Sequence, residues 1–118
     1  MPRSKQNYLR RERRSWALRQ KDLAFLLGIK TTTHISRLEH SRSIPNIKTG
    51  LAFEVIFGLS PGQLLPALFS LIEEEVMARA ATMHKRLSER LDARAVRKRQ
   101  LCEALLKRAT TRSIRQQE

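Results

Sequence analysis

"RQKDLAFLLGIKTTTHISRLEHSRSIP", residues 19–45, is the stretch on which the fold turns. Leu23, Ala24 and Leu27 recur at helical spacing and are followed by Gly28, which can take the left-handed conformation that closes a helix. A second helix then starts with Thr31 as its cap, carries Ile35 and Leu38 on one side, and runs to about His40. Threonine is a poor helix former, so Thr31, Thr32 and Thr33 at its start ask for a reason other than propensity. The two apolar sets face each other across the turn, and Ala24 is small where the helices would cross. This is the layout of a helix-turn-helix.

The flanks extend the pattern in both directions. Asn7 can cap a first helix running through Leu9 and Arg13, with Tyr8, Leu9 and Trp16 supplying apolar contacts. Asn46, following Pro45, caps a fourth helix. Ile47, Leu51 and Val55 occupy one side of it, Ala52 and Ile56 the next, Phe53 and Phe57 a third, which predicts burial on more than one side. Ser60-Pro61-Gly62-Gln63 is a capping box with proline at the first helical position, so a fifth helix starts there. Pro66 lies one turn further in and kinks or restarts it. From Ala67 to Glu118 there is no glycine or proline, and one long helix or two with Asp92 capping the second are both allowed. No stretch shows the period-2 alternation of a strand. The fold class is all-α, with an N-terminal basic arm at 1–7, a five-helix domain at 8–70 and a helical extension at 71–118.

The chain's 118 residues suit one small domain, or a minimal domain plus an extension. Lysine and arginine number 24 against 11 acidic residues, a formal charge of +13, which points to a polyanionic partner: nucleic acid first, an anionic membrane second. The charge is blocked. Residues 1–50 hold 12 basic and 3 acidic side chains, 51–78 hold 4 acidic and no basic ones, and 79–118 hold 12 and 4. Cys102 has no cysteine to pair with, and with His34, His40 and His84 it matches no metal-ligand spacing, so no metal and no cofactor are expected. The N-terminus lacks a signal peptide's apolar stretch. The longest apolar runs, around Leu23–Leu27 and Leu64–Ile72, fall short of the ~20 residues that span a bilayer. A soluble, cytoplasmic protein with no membrane partner is expected. No carboxylate pair, nucleophile with a base, or phosphate-binding glycine loop appears, so it is not expected to be an enzyme.

Over residues 8 to about 70, "RQKDLAFLLGI…ISRLE" followed by "IPNIKTGLAFEVIFGLSPGQLL" resembles the lambda-repressor-like (Cro/Xre-type) helix-turn-helix DNA-binding family. One departure from the family pattern is visible: Ile35 comes seven residues after the turn glycine where six is usual. Keeping the usual count would bury His34 and Arg37 at a desolvation cost, so the extra residue is placed in the turn near Lys30. The resemblance implies that Thr32, Thr33 and Arg37, with Ser36 beside them, read base edges in the major groove. It implies that Gln20, Arg42 and Ser43 contact the DNA backbone. Thr31, as cap, presents the helix N-terminus to a phosphate, and His34 lies next to that surface. Arg13 and Glu39 fall where members pair an arginine of the first helix with a glutamate of the third, a structural pair. Family members engage a second subunit through the fourth and fifth helices.

Taken alone, a Thr- and Ser-rich segment reads as a solvated turn, and Arg3 and Lys5 as a frayed terminus; in the family's setting the former becomes a reading head and the latter an arm along DNA. Phe53, Phe57 and Phe69, with Phe25 and Leu26 on the outer side of the second helix, exceed what a unit of about 60 residues needs for its core, so some of this surface is expected to meet a partner subunit or the chain's own C-terminal helix; the expected dimer contact is Phe53, Phe57, Phe69 and Val76. In the extension, Val76, Ala80, Met83, Leu87 and Leu91 follow helical spacing, but Arg94 and Lys98 then take the seam, which rules out a long coiled coil. "RAVRKRQ", residues 94–100, reads as a solvated face, with direct contact to nucleic acid as the alternative. The function expected is a dimeric, sequence-specific regulator of transcription that binds double-stranded DNA and represses by occupying an operator. The alternative is an antitoxin or assembly adaptor that uses the same module to bind a protein or RNA. No pocket for a small-molecule effector is legible.

Overall fold

The computed structural model describes residues 6–117. Arg3 and Lys5 of the basic arm lie outside the described residues. Among those described the chain is all-helical, with α1 (Leu9–Ser15), α2 (Gln20–Leu27), α3 (Thr32–Glu39), α4 (Ile47–Phe57), α5 (Pro61–Leu64), α6 (Pro66–Arg86) and α7 (Ala93–Gln117). None of these helices is long and apolar enough to cross a membrane. The chain divides into two compact units, Met1–Ser70 and Leu71–Glu118.

In the first unit α2 packs on α3 and α4, α4 on α5, and α1 on α3. Leu9, Leu23, Ile35, Leu38, Phe53 and Leu64 are fully buried at the centre, and they come from five different helices, so no helix pair could form this core by itself. Gly28 takes φ 70°, which lets the Ile29 N–H reach back to the Ala24 carbonyl at 2.9 Å and close α2. α1 and α3 close in the same way without glycine. Ala17 (φ 57°) and Ser41 (φ 59°) sit in the left-handed region, and the following amides, of Leu18 and Arg42, donate to the Arg13 and Arg37 carbonyls. Asn46 caps α4 by accepting from the Thr49 N–H at 2.8 Å. Ser60 and Gln63 exchange both bonds of the capping box, at 2.8 and 3.1 Å. Leu65 leaves the helical region (φ −125°, ψ 62°), so the chain restarts instead of kinking, and Pro66 becomes the first residue of α6, where its missing N–H leaves no bond unmade.

One expectation for this unit is corrected. Trp16 gives no apolar contact to the core: it lies past the end of α1, 66% exposed, with its indole N–H on Glu12. In α4, Phe53 and Phe57 are buried in the core and Ala52 and Ile56 are half-buried beside them, Ile56 packed against the core. The third side, Ile47, Leu51 and Val55, is 81, 56 and 86% exposed.

The second unit is an antiparallel hairpin of α6 and α7. Between them the chain leaves the helix after Arg86 and re-enters at Ala93, with Asp92 accepting from the Ala95 N–H at 3.2 Å and held by Arg90 through two bonds of 3.0 and 3.1 Å. Of the two arrangements the sequence allows, the structure has two helices. The apolar series of α6 therefore ends at Leu87, which is buried; Leu91, the last member of the expected series, is in the turn and 88% exposed. The turn also resets the phase. Ala95 and Cys102 of α7 are buried, which turns Arg94 and Lys98 outward. Arg99 is not part of a solvated face: its guanidinium donates to the Leu87 and Arg90 carbonyls in the turn that follows α6. Arg112 pairs with Glu73, and His84 with Glu103 at 3.2 Å.

Candidate functional site

α3 is fixed from below by its apolar side and at its C-terminal end by polar bonds. Ile35 and Leu38 are 0 and 1% exposed against Leu23 and Ala24 of α2. A helix turns about 100° per residue, so once 35 and 38 face inward, 32, 33 and 37 must face out; Thr32, Thr33 and Arg37 are all exposed. The extra turn residue at Lys30 is consistent with this register. Thr31 holds the cap position in extended backbone (φ −127°, ψ 144°), but its hydroxyl makes no cap bond; it marks the start of α3 by backbone shape alone.

The C-terminal end is held by a residue that sequence reasoning assigned to another task. Asn7 does not hold the cap position of α1, which is Tyr8; from one residue earlier it accepts from the Leu9 N–H at 3.1 Å. Its amide nitrogen also donates to the Leu38 carbonyl at 2.9 Å and to Ser41 Oγ at 2.8 Å, which ties the start of α1 to the end of α3. Arg13 and Glu39 join the same two helices inside the core, with Nε 2.5 Å from Oε2 and side-chain exposures of 8 and 0%. Arg13 also donates to the Leu18 carbonyl at 2.7 Å. Gln20 completes the group: its amide donates to Glu39 Oε1 at 3.2 Å. One of its hydrogens is therefore committed inside the protein, and it can offer a ligand only what remains.

Arg42 is exposed directly after α3, Ser43 half-buried, and the Arg42 amide is bonded to the Arg37 carbonyl at 2.8 Å. His34 and Ser36 are half-buried. The Ser36 carbonyl is bonded by His40 Nδ1 at 2.7 Å, so His40, not singled out by the sequence, sits beside the exposed strip of α3. At the opposite end of α2, Asp22 accepts from the Arg19 backbone N–H at 2.8 Å, and that bond, with the Arg19 guanidinium, holds its carboxyl below the ordinary 3.8. Every ionisable partner in this cluster is used for structure, while the outward strip of α3 carries threonine hydroxyls, methyls and guanidinium.

The expected dimer contact needs correction. Phe53 and Phe57 are 0 and 9% exposed and are core, out of reach of a second subunit, because their side of α4 is the one that α2 and α5 cover. Phe69 lies against Gly62, to which an added Cβ would stand 3.0 Å from its ring. Val76 is exposed. The uncovered apolar surface of α4 is the Ile47, Leu51, Val55 side, continued by Ile44. No protein-family model matches the chain, and no curated protein or solved structure matches it either.

Proposed function

We propose that the first unit reads double-stranded DNA in a sequence-specific way, with α3 in the major groove, and that the protein regulates transcription as a dimeric repressor occupying an operator in the cytoplasmic nucleoid. No catalysis is involved. The observation that carries this reading is the outward strip of α3: Thr32, Thr33 and Arg37 are exposed together on a helix whose opposite side is locked into the core. Arg37 has the planar pair of donors that grips guanine, and threonine methyls can meet the methyl of thymine. Arg42 and the remaining donors of Gln20 would hold phosphates, and the charge of +13 supplies attraction to any duplex. The second subunit is assigned to the exposed Ile47, Leu51, Val55 side of α4, since two half-sites give the affinity that one short helix cannot.

The exposed apolar side of α4 also favours a second reading, in which a helix-turn-helix module docks a protein partner as an antitoxin or adaptor. Selection of bound fragments from random DNA separates the two: a palindrome with half-sites about one turn apart supports the operator reading, and recovery of no sequence preference removes it. Arg37→Ala should weaken binding to the selected site by ~1–3 kcal/mol and relax preference at one base pair, whereas Arg42→Ala should weaken all sequences alike. Equal losses on selected and random DNA for Arg37→Ala would withdraw base reading from α3.

A further inference from the structure

α7 carries eight lysines and arginines and one carboxylate, Glu103, within Ala93–Gln117. The inward arginines, Arg99 and Arg112, are used on the turn that follows α6 and on α6 itself, and Glu103 is engaged by His84. What remains is six exposed cations, Arg94, Arg97, Lys98, Lys107, Arg108 and Arg115. None has an ion-pair partner among the described residues. At 3.6 residues per turn, Arg97, Arg108 and Arg115 fall within roughly 20° of one line along the helix, and Ala104 and Thr111 are the small residues beside it. The cations extend over about 32 Å from Arg94 to Arg115 at 1.5 Å per residue. Like charges three and four residues apart destabilise a helix, so the stripe is a standing electrostatic cost that a regular line of anions would relieve.

We propose that the outer face of α7 is a second, sequence-independent contact surface for the phosphate backbone of duplex DNA. Residues 71–118 contain no phenylalanine, tyrosine or tryptophan, so the stacking platforms that single strands and RNA loops require are missing. A membrane-surface helix must keep an apolar face free to enter lipid. In α7 that side is turned to α6, with Ala95 and Cys102 buried, and the exposed Leu101, Leu106 and Ile114 are spread around the helix at their spacing instead of aligned. A row of three arginines along the helix, flanked by Arg94, Lys98 and Lys107 and without stacking or insertion, matches the backbone of a duplex. This surface shares the duplex ligand with the reading above but rests on α7's residues and not on α3.

The test uses the full chain carrying Arg97→Gln, Arg108→Gln and Arg115→Gln together, all exposed positions, with helicity by circular dichroism as the control for folding. Binding to a random-sequence duplex of about 30 base pairs is followed from about 50 to 200 mM salt. The slope of log K against log salt should fall by about 2 to 3, near 0.9 for each phosphate that is no longer neutralised. An unchanged slope in the triple variant overturns the proposal. So does failure of the unaltered chain to bind random duplex, or a weakening confined to phosphatidylserine vesicles, to a single-stranded oligonucleotide of the same length, or to an acidic protein. If the random-DNA selection finds no preferred site while the triple variant's slope falls, the reading of α3 fails and the surface on α7 stands.

Discussion

Arg13 and Glu39 are the most constrained charged side chains in the described residues, both nearly sealed from water and joined at 2.5 Å. Arg13→Met should cost roughly 3–5 kcal/mol in urea unfolding, because it leaves a carboxylate buried without its counter-charge. Adding Glu39→Leu should restore much of that stability, and a double variant as unstable as the single one would mean that the pair is valued for more than mutual neutralisation. Four helix ends among the described residues are left-handed, and they give a second prediction. Only two of them, Gly28 and Gly58, carry the residue such a backbone prefers. Ala17→Gly should gain up to about 1 kcal/mol from relieved strain, less the entropy glycine adds to the unfolded chain. Ser41→Gly should gain less or nothing, since it also deletes the oxygen that accepts from Asn7 at 2.8 Å. Equal gains at both sites in parallel urea titrations would discount the Asn7 bond. Neither end was legible in the sequence, because alanine and serine carry no signal for a left-handed turn, as Gly28 does.

Helices in this chain begin and cross in ways that can be tested one element at a time. Ala24 is 5% exposed where α2 meets α3, and Ala24→Leu should overfill that crossing at a cost on the order of 1–3 kcal/mol. The variant should stay partly helical and fail to bind DNA; normal folding and binding would mean that the crossing is looser than the buried side chains imply. The starts of α2 and α7 carry Asp22 and Asp92. Both carboxyls are held below the ordinary 3.8, Asp22 first by the Arg19 backbone N–H and Asp92 first by the Arg90 side chain. A depressed folded-state value means that the stabilisation is complete above the unfolded value and disappears as pH falls through the folded one. Helicity should therefore decline on acidification below about pH 4. Asp92→Asn, which keeps an acceptor for the Ala95 N–H, should flatten its share of that decline, and identical acid titrations of the two proteins would remove the Arg90–Asp92 contact from the account. Capping residues such as Asn46 and Ser60 are readable because their side chains act on amides two or three positions away. Thr31 shows the limit of that logic: the backbone takes the cap conformation and the hydroxyl makes no cap bond.

At the scale of the molecule, the apolar side of α4 and the cationic side of α7 are two of the surfaces left exposed among the described residues. Leu51→Glu or Val55→Glu should leave the fold intact, because both side chains are already exposed, and should convert a dimer to a monomer in sedimentation. Phe53→Ala should unfold the first unit instead, at about 3–5 kcal/mol for removal of a buried phenylalanine. A dimer that survives glutamate at both 51 and 55 would put the second subunit elsewhere. This division of roles between phenylalanines and aliphatics was the main point at which the sequence misled. The helical period distinguishes sides of α4 but is silent on which side a neighbour covers, and large aromatics next to aliphatics read equally well as core or as contact.

The order of residues was enough for whatever is local and periodic: the all-helical class, the stop at Gly28, the caps at Asn46 and Ser60, and the inward register of Ile35 and Leu38, with the outward Thr32, Thr33 and Arg37 that follow from it. Each depends on interactions within a few residues, where side-chain chemistry and helical geometry leave few choices. Everything else waited on the packing of helices far apart in the chain. Asn7 bonds a carbonyl 31 residues away, Gln20 turns to Glu39, Phe53 goes inward while Val55 does not, and Arg99 leaves a basic run to sit on the turn that follows α6. The reason is that each of these outcomes depends on which surfaces distant helices bring together and seal from water, and on which polar groups must then be satisfied there.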